Sequence, residues 1–367
     1  MKKTIVFIID GLPGGGAEKV VLTLAEGLVK AGNTVILVSL DKRCDYKIPE
    51  GIHYVLSEDE KKKGIFRKIT EISRRAEKLY ECLNAISERF DTPDLILSNL
   101  HKTDRIVSKV KGIEKLNVWY CIHGVFSKSY LADKNIISCL IKKIKIRRVY
   151  EGKKIITGSD AVFDDLIGNV KVNISEHRTI YNPFNLREIK DLSMKENPFE
   201  GMDYIVHIGR FHDVKRHDRL LEAYSSASIT SKLVIVGQGD KEKESAIRNK
   251  IKELKLEGRV LLAGFHKNPL PIIKGAKLTV LSSDSEGLPG VIIESLICGT
   301  PVVTTRCPGG VREIMSGELS KFTTELNSVS LAAMIASVYK KPYKIKKEMY
   351  EKFDTQLIIE DYERLID

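Results

Sequence analysis

The chain has 367 residues, 43% of them hydrophobic and 30% charged, and a formal net charge of +11. That length exceeds the size at which a single hydrophobic core stops growing, so two globular domains are expected. No apolar run approaches the roughly 18 residues that a membrane-spanning helix needs. The six cysteines include no Cys-x-x-Cys pair, which excludes a structural zinc site and predicts reduced thiols in a cytosolic protein.

The first half of the chain alternates apolar strands with amphipathic helices. The apolar run that follows Met1 is too short for a signal peptide and stops at Asp10, so it is predicted to be the first strand. Such alternation predicts a parallel sheet that is covered by helices. The strands are predicted at residues 4–9, 34–40, 52–56, 95–98, 117–121 and 155–157, and the clearest helix at residues 17–30.

A glycine-rich turn, which contains Gly14, Gly15 and Gly16, follows the first strand and precedes the first helix. This is the context of a dinucleotide-binding fingerprint, although Lys19 stands where the third glycine or alanine should lie. Asp41 ends the second strand, where an acid that binds a ribose would lie. The turn therefore fits nicotinamide binding, a plain tight turn, or a loop that approaches a phosphorylated ligand.

Two histidines follow predicted strands of the first half. His123 lies at the carboxyl end of the fifth strand, at the edge where open α/β sheets bind ligands. A histidine in such a place also serves as an ordinary hydrogen-bonding residue. His101 follows the fourth strand, and Ser159 with Asp160 is typical of a helix N-cap.

The positive charge is concentrated in one part of the first half. Residues 101–150 contain 12 Lys or Arg and 3 Asp or Glu. Within them, residues 136–149 interleave Ile and Leu with Lys and Arg, which predicts a helix with a basic face. Such a helix either lies on an anionic membrane surface or packs on the core with its charged face in solvent. Nucleic acid is not expected as a partner, because no nucleic-acid-binding module or aromatic platform accompanies the charge.

The rhythm of strands and helices pauses at residues 185–203, which are predicted to connect two domains. A second alternating set begins at Tyr204 and extends to about residue 339. A last helix is predicted over residues 346–366, where apolar side chains recur at near-helical spacing.

The first strand of the second set is followed by Arg210 and Lys215. An arginine fork and a lysine point charge together can neutralise a diphosphate. Each cation alone is more often a solvated surface charge. Two further strands end in turns, at Gly237 and at residues 265–266, which is also ordinary turn chemistry.

A later strand-to-helix turn sets Glu286 and Glu294 eight residues apart. The free N–H groups and the dipole of a helix N-terminus favour an anion, so this turn is a candidate phosphate cradle. Glu286 at the lip of the turn can accept hydrogen bonds from sugar hydroxyls, and Glu294 within the helix can reach a ribose. The cradle comprises Gly287, Leu288, Pro289, Gly290 and Val291.

This turn with its two glutamates resembles the Glu-x7-Glu motif of the retaining glycosyltransferases with the GT-B fold, the glycosyl transferases group 1. Arg210 and Lys215 are similar to the Gly-Arg turn and the phosphate-binding lysine of that family. The family usually has glycine directly after this lysine, and here Arg216 stands in its place. The resemblance is strong over residues 204–314 and weaker elsewhere.

The resemblance implies an α/β fold of two Rossmann-like domains, each a doubly wound parallel sheet, that face a central cleft. Residues 1–185 would form the acceptor-side domain and residues 200–345 the nucleotide-sugar donor domain. The helix at residues 346–367 would cross back onto the first domain. The family is independent of metal ions, so neither a metal nor another cofactor is expected, and Asp284 with Glu286 is not expected to hold an ion.

The same resemblance assigns roles to the candidate residues. Glu286 would position the donor sugar, Glu294 would bind the ribose, and His123 would lie beside the anomeric carbon. Gly14 and His101 would lie on the acceptor side. Arg210 and Lys215 would be catalytic residues, with Glu286 and His123, and would stabilise the leaving diphosphate. The remaining donor-binding residues would be Gly287, Leu288, Pro289, Gly290, Val291, Gly237, Phe265, His266, Gly15 and Gly16.

The expected function is a retaining glycosyltransferase that moves a hexose or N-acetylhexosamine from a nucleotide diphosphate sugar, with uridine as the favoured base and guanosine second. The acceptor would be a glycan or lipid-linked glycan of lipopolysaccharide, O-antigen or capsule biosynthesis. The protein would be cytoplasmic, or peripheral on the cytoplasmic face of the inner membrane. Two other classes stay open: a nucleotide-sugar epimerase of the same fold, and a non-catalytic basic protein that binds a surface through residues 142–148.

Overall fold

The chain divides into two compact units, which are described here as domains. The N-terminal domain comprises residues 1–183 and 355–367, and the C-terminal domain comprises residues 184–354. The structure, a computed structural model, describes residues 2–14, 16–58, 67–127, 130–131 and 135–366.

A parallel sheet forms the centre of the N-terminal domain, with seven strands in the described residues. The strands are β1 (Thr4–Ile9), β2 (Thr34–Ser39), β3 (Ile52–Leu56), β4 (Leu95–Asn99), β5 (Val118–Ile122), β6 (Lys154–Thr157) and β7 (Glu176–Thr179). Their order is β3-β2-β1-β4-β5-β6-β7, so the order in which the chain adds its parallel strands reverses between β1 and β4. Doubly wound sheets bind ligands at the carboxyl edge of such a reversal.

Helices cover both faces of this sheet. Successive residues of β1 alternate between two hydrophobic cores, with Val6 in one and Phe7 in the other, as the strand period of two requires. The side chain of Ser159 accepts the Val162 N–H and confirms the predicted N-cap. The helices are α1 (Gly16–Lys30), α2 (Arg67–Phe90), α3 (His101–Val107), α4 (Ile136–Tyr150) and α5 (Asp160–Asp164), which continues as a π-helical turn (Asp165–Val170).

The C-terminal domain repeats this architecture around a second parallel sheet of order β10-β9-β8-β11-β12-β13. Its strands are β8 (Tyr204–Ile208), β9 (Lys232–Val236), β10 (Val260–Gly264), β11 (Thr279–Leu281), β12 (Val302–Thr305) and β13 (Thr323–Thr324). Its helices are α6 (Leu186–Ser193), α7 (His217–Ser226), α8 (Lys241–Glu253), α9 (Leu270–Gly275), α10 (Gly290–Cys298), α11 (Val311–Ile314) and α12 (Ser328–Lys340). Two doubly wound parallel sheets confirm the predicted α/β class.

Two predictions near the domain ends are wrong. Residues 185–203 are not a plain connection, because α6 lies within them and packs on α9 and α10. The last helix is shorter than predicted, since two 3-10 turns (Lys347–Met349 and Glu351–Phe353) precede α13 (Thr355–Glu363). The backbone of Asp354 is extended, with φ of −60° and ψ of 132°, which ends the helical turn at Phe353, whose carbonyl accepts the Phe184 N–H at 2.8 Å.

Helix α13 belongs to the N-terminal domain, where it packs on α1. A Cβ at Gly27 would lie 2.7 Å from Ile359 Cδ1, so glycine is what lets the two helices approach. Asn33 donates a hydrogen bond to Glu363 at 2.8 Å. No helix in the described parts of the chain is both long enough and apolar enough to cross a membrane.

Candidate active site

The turn after β8 carries the two cations that the sequence predicts. Arg210 is exposed, and Lys215 ends a single 3-10 turn. A Cβ at Gly209 would lie 3.4 Å from both Cδ and Cε of Lys215. The lysine side chain thus passes directly over Gly209.

The carboxylate of Glu286 meets Lys215 across the carboxyl edge of the second sheet. Lys215 Nζ donates to Glu286 Oε1 at 2.6 Å, and Ser283 Oγ donates to the same oxygen at 2.5 Å. The two charged side chains are only 19% and 12% exposed, so water screens this pair less than a surface ion pair. The structure therefore brings together two predicted site residues that are far apart in sequence.

The predicted phosphate cradle is the entry to α10. The helix begins at Gly290 after the buried Pro289, and no side chain caps it. Leu288 and Val291 are half-buried beside it. An uncapped helix N-terminus next to a lysine favours an anion.

Gly309 and Gly310 support the same turn from the next loop. Gly310 N–H donates to the Gly287 carbonyl at 2.6 Å, and Glu286 N–H donates to the Pro308 carbonyl at 3.1 Å. Gly309 has φ of 113°, and a Cβ there would lie 1.5 Å from the Glu286 carbonyl oxygen. The Gly-Gly pair is visible in the sequence, but sequence reasoning missed its support of Glu286.

Glu294 lies on the second turn of α10 and is half-buried. Burial, followed by the charge of Glu294, raises the pKa of the Cys298 thiol to about 12. Glu294 thus lies about one helical turn after Gly290, on the same helix.

The turns after β9 and β10 hold the residues that are predicted to contact the base. Gly237 has φ of 152°, and a Cβ there would lie 1.9 Å from the Gly209 carbonyl oxygen. His266 Nε2 lies 3.2 Å from the Ala263 carbonyl oxygen. Phe265 is 66% exposed, an unusual state for a large aromatic side chain and one that leaves its ring available for stacking.

In the N-terminal domain, His123 and Asn99 end neighbouring strands of the sheet. His123 Nε2 lies 3.1 Å from Asn99 Oδ1, so Nε2 carries the proton and Nδ1 is the acceptor. Burial lowers the pKa of His123 to about 4, which keeps the ring neutral at pH 7. The site residue that was predicted from its strand-end position is thus a neutral hydrogen-bonding group.

His101 is part of a buried network that the sequence did not predict. Its Nδ1 lies 3.1 Å from Tyr150 Oη, which donates to Asp104 at 2.6 Å, and Ser98 Oγ donates to Asp104 at 2.5 Å. Burial raises the pKa of Asp104 to about 8 and lowers the pKa of His101 to about 4. Asp104 had no signal in the sequence, because no motif links it to Tyr150.

Of the three glycines predicted in the first turn, Gly15 lies outside the described residues. Gly14 has φ of 90° and Gly16 begins α1, and both are exposed. A Cβ at either position would meet nothing within 4 Å. Open space at both positions is compatible with a ligand that approaches this turn.

Helix α4 is apolar on two opposite faces. Ile146, Val149 and Tyr150 are buried, so one face of the helix packs on the core of the domain. A second set of aliphatic side chains is 41–84% exposed and spans an arc of about 140° at 100° per residue. This outer set is Ile136, Ile137, Leu140, Ile141 and Ile144, with the exposed Lys145, Arg147 and Arg148 beside it.

No group of three or more metal-binding side chains converges in the part of the chain that the structure describes. The independence from metal ions that the resemblance implies stays a prediction.

Two family models match the chain. The model of the glycosyl transferases group 1 matches residues 188–356, and the model of glycosyltransferase family 4 matches residues 14–188. Together they span both domains.

Relatives and a solved structure agree with these matches. A Campylobacter jejuni protein, N-acetylgalactosamine-N,N'-diacetylbacillosaminyl-diphospho-undecaprenol 4-alpha-N-acetylgalactosaminyltransferase, is 28% identical over 322 residues, which cover 87% of this chain and 84% of the relative. A second protein of that organism, GalNAc-alpha-(1->4)-GalNAc-alpha-(1->3)-diNAcBac-PP-undecaprenol alpha-1,4-N-acetyl-D-galactosaminyltransferase, is 24% identical over 85% of this chain and 81% of its own. The crystal structure of Anabaena HepE with UDP and glucose has a TM-score of 0.77 and 18% identity over 98% of both chains, which shows a shared fold.

Proposed function

This chain is a glycosyltransferase of the group 1 family, and from that premise we propose that it is a retaining hexosyltransferase or N-acetylhexosaminyltransferase with a nucleotide diphosphate sugar as donor. The observation that carries the proposal is the Lys215–Glu286 pair beside the uncapped N-terminus of α10. This arrangement offers positive charge for a diphosphate and a carboxylate for sugar hydroxyls in one place.

Lys215 and the first amides of α10 stabilise the leaving diphosphate. Negative charge grows on the diphosphate as the glycosidic bond breaks, and preorganised donors are most effective where charge develops. Arg210, which is exposed on the same turn, adds a second cation. These cations replace a metal ion, and the leaving phosphate itself takes the proton of the acceptor hydroxyl.

Glu286 orients the donor sugar. Because Lys215 and Ser283 both donate to Oε1, the carboxylate has a fixed orientation before any sugar binds. Glu294 binds the ribose, and Phe265 stacks on the base. Retention of configuration rests on the resemblance of the Glu286–Glu294 spacing to the Glu-x7-Glu motif.

The acceptor is a lipid-linked glycan of surface-polysaccharide biosynthesis. Both Campylobacter relatives carry names that describe transfer to glycans on diphospho-undecaprenol. His123 and Asn99 are neutral and can hydrogen-bond to the hydroxyl groups of such a glycan. A sugar that displaces water from them leaves no ion desolvated.

The outer face of α4 lies on an anionic membrane. Five exposed aliphatic side chains are enough to enter the headgroup boundary, and Lys145, Arg147 and Arg148 beside them attract anionic lipid. A lipid-linked acceptor would then be reached from the membrane surface.

A transfer assay tests the enzymatic part of the proposal. The purified chain is incubated with UDP- and GDP-sugars and with undecaprenyl-diphosphate-linked glycans, and the products are analysed by mass spectrometry and by NMR of the new anomeric proton. We expect one donor to extend the acceptor with retention, and Lys215→Ala to abolish the transfer. The matched control is Lys277→Ala, which removes an ion pair with Asp203 from the same domain.

Other outcomes would contradict this proposal in different ways. Isomerisation of the donor sugar without any transfer would support the epimerase. An inverted product would refute retention while leaving transfer intact. Equal activity of Lys215→Ala and Lys277→Ala would refute the diphosphate site.

Vesicle flotation tests the membrane part separately. We expect the chain to float with vesicles that contain phosphatidylglycerol and to lose this binding when Ile137 and Ile141 are changed to Gln, which removes apolar surface without adding charge. The control is Val329→Gln, because Val329 is 78% exposed on α12 of the other domain. Binding that is unaffected by the α4 changes would show that another surface, or none, contacts lipid.

A further inference from the structure

Arg216 occupies a backbone position that favours glycine. Its φ and ψ are 50° and 55°, which is the left-handed helical region. A side chain there crowds the backbone, and glycine is the residue that avoids this strain. An arginine occupies this position, directly after Lys215, and its side chain makes contacts that glycine could not make.

The guanidinium groups of Arg216 and Arg219 hold one carboxylate between them. Arg216 Nη1 donates to Asp284 Oδ2 at 3.0 Å, and Arg219 Nη2 donates to Asp284 Oδ1 at 2.6 Å. Arg216 also makes a two-pronged contact with Asp218, at 2.9 Å and 2.8 Å. Arg219 is 5% exposed and donates from Nη1 to the Ser282 carbonyl at 2.8 Å.

Backbone hydrogen bonds join the same two loops. Asp284 N–H donates to the Val214 carbonyl at 2.8 Å, and Ser282 Oγ donates to the Lys215 carbonyl at 2.8 Å. One loop carries Lys215 and the other carries Glu286. The contacts therefore connect the two loops on either side of the Lys215–Glu286 pair.

We propose that Arg216, Asp284 and Arg219 are positioning residues that fix Lys215 relative to Glu286 before the donor binds. None of the three is needed to touch the donor. The inference rests on the proposed function of the Lys215–Glu286 pair. Without these contacts, the loops that carry the Lys215 ammonium and the Glu286 carboxylate would move relative to each other. Small misplacements of a catalytic group lower the reaction rate strongly.

Hydrogen exchange tests the mechanical part without any substrate. In Asp284→Asn and Arg219→Met we expect the backbone amide at position 284 and its neighbours to exchange at least about tenfold faster than in the native chain. The matched control is Arg248→Met, which removes an exposed ion pair with Glu244 from α8. Equal exchange in the control and in both cluster variants would overturn the proposal, whether or not the chain transfers sugar.

Steady-state kinetics test the consequence for the reaction. For Asp284→Asn we expect kcat to fall about tenfold or more while the Kd of the nucleoside diphosphate changes less, because positioning acts mainly on the transition state. Arg216→Gly is the sharpest variant, since it introduces the residue that the family usually has. We expect it to lose activity as well, and native activity in Arg216→Gly would overturn the role of the guanidinium.

A double-mutant cycle separates positioning from general destabilisation. UDP, GDP and ADP are titrated calorimetrically, and the tightest binder is used as the probe. In the native background Asp284→Asn should weaken the binding of this probe about fivefold, and in the Lys215→Ala background by less than about twofold, because the group that it positions is already absent. Full additivity of the two changes would overturn the proposal. If no diphosphate binds the native chain, the proposed function fails, and the exchange data still decide the positioning.

Discussion

The carboxyl edges of the two sheets present different chemistry. In the C-terminal domain, the edge carries an ion pair between Lys215 and Glu286. In the N-terminal domain, the edge carries a neutral pair between His123 and Asn99, in which burial lowers the pKa of the histidine to about 4. Both edges are formed by parallel strands of doubly wound sheets, so the fold does not determine this difference.

Under the proposed function, this difference in charge matches each domain to a different part of the substrates. A diphosphate needs positive charge, and its binding is paired with a carboxylate that orients hydroxyls. The sugar part of the proposed acceptor has no charge, and neutral donors and acceptors match it without a desolvation penalty for an unpaired ion. Variants of the C-terminal edge should therefore act on catalysis, and variants of the buried N-terminal network should act on stability and its pH dependence.

The largest effect is expected from Lys215→Met, which keeps the aliphatic stem and removes the charge. We expect kcat/KM to fall by about 10²–10³-fold, as on removal of one preorganised donor from a site of developing charge. Initial rates over a range of donor concentrations measure it, with Lys277→Met as the control. A loss that is no larger than that of the control would show that the charged edge is not the donor site.

The next largest effect is expected from replacing a glycine of the C-terminal domain, with a glycine of the N-terminal domain as its counterpart. Gly309, with φ of 113°, would place an alanine Cβ 1.5 Å from the Glu286 carbonyl oxygen, whereas Gly112, with φ of 76°, would place one where nothing lies within 4 Å. We expect Gly112→Ala to cost about 1 kcal/mol in unfolding free energy, from backbone strain alone. Gly309→Ala should cost about 3 kcal/mol or more and also lower kcat, because the loop with Glu286 must shift.

Urea denaturation of both variants provides the measurement. Equal losses in the two would mean that the loop at Gly309 yields easily, and that the turn with Glu286 is less constrained than the structure indicates.

The pH dependence of stability distinguishes the buried network. Burial raises the pKa of folded Asp104 from 3.8 to about 8, so between these values the folded chain keeps a proton that the unfolded chain has released. Stability therefore falls as the pH rises through this window. Asp104→Asn removes this proton uptake. Between pH 5 and pH 7 its free energy of unfolding should therefore fall by about 2–3 kcal/mol less than that of the native chain.

Unfolding midpoints at several pH values measure this slope for both chains. Identical slopes would place the pKa of Asp104 near its ordinary value and would show that the buried network does not set the pH dependence of stability.

The Lys215–Glu286 site could be predicted from sequence because its signals are local. Lys215 and Glu286 each follow an apolar strand within a few residues, and β8 and β11 are neighbours in the sheet. Carboxyl ends of adjacent parallel strands lie at one edge, so the pair meets without any further information. The cluster around Asp284 escaped prediction, because side-chain fork geometry depends on the left-handed backbone at Arg216.

The buried network of Asp104, the buried face of α4 and the segment before α13 could not be predicted from local sequence signals. Asp104 and Tyr150 lie on different helices and share no motif, so only tertiary packing brings them together. The spacing of apolar residues on α4 indicated a helix, but both faces are apolar and the period alone does not identify the buried one. At the end of the chain, Phe353 has helical spacing yet bonds to an extended segment.

The smallest effect is expected from Tyr150→Phe, which keeps the buried ring and removes one hydroxyl. Asp104 then retains its bond from Ser98, and His101 loses a partner, so the cost at pH 6 should be about 1 kcal/mol. The hydrogen bond from Tyr150 lowers the pKa of Asp104, so its loss makes ionisation of the folded chain harder still. In the native chain Asp104 ionises above about pH 8, whereas in the variant it keeps its proton to a higher pH. The loss of unfolding free energy caused by Tyr150→Phe should therefore grow between pH 6 and pH 9. Urea midpoints at the two pH values measure this growth, and a cost that stays constant would mean that Tyr150 contributes packing but no charge-dependent hydrogen bond.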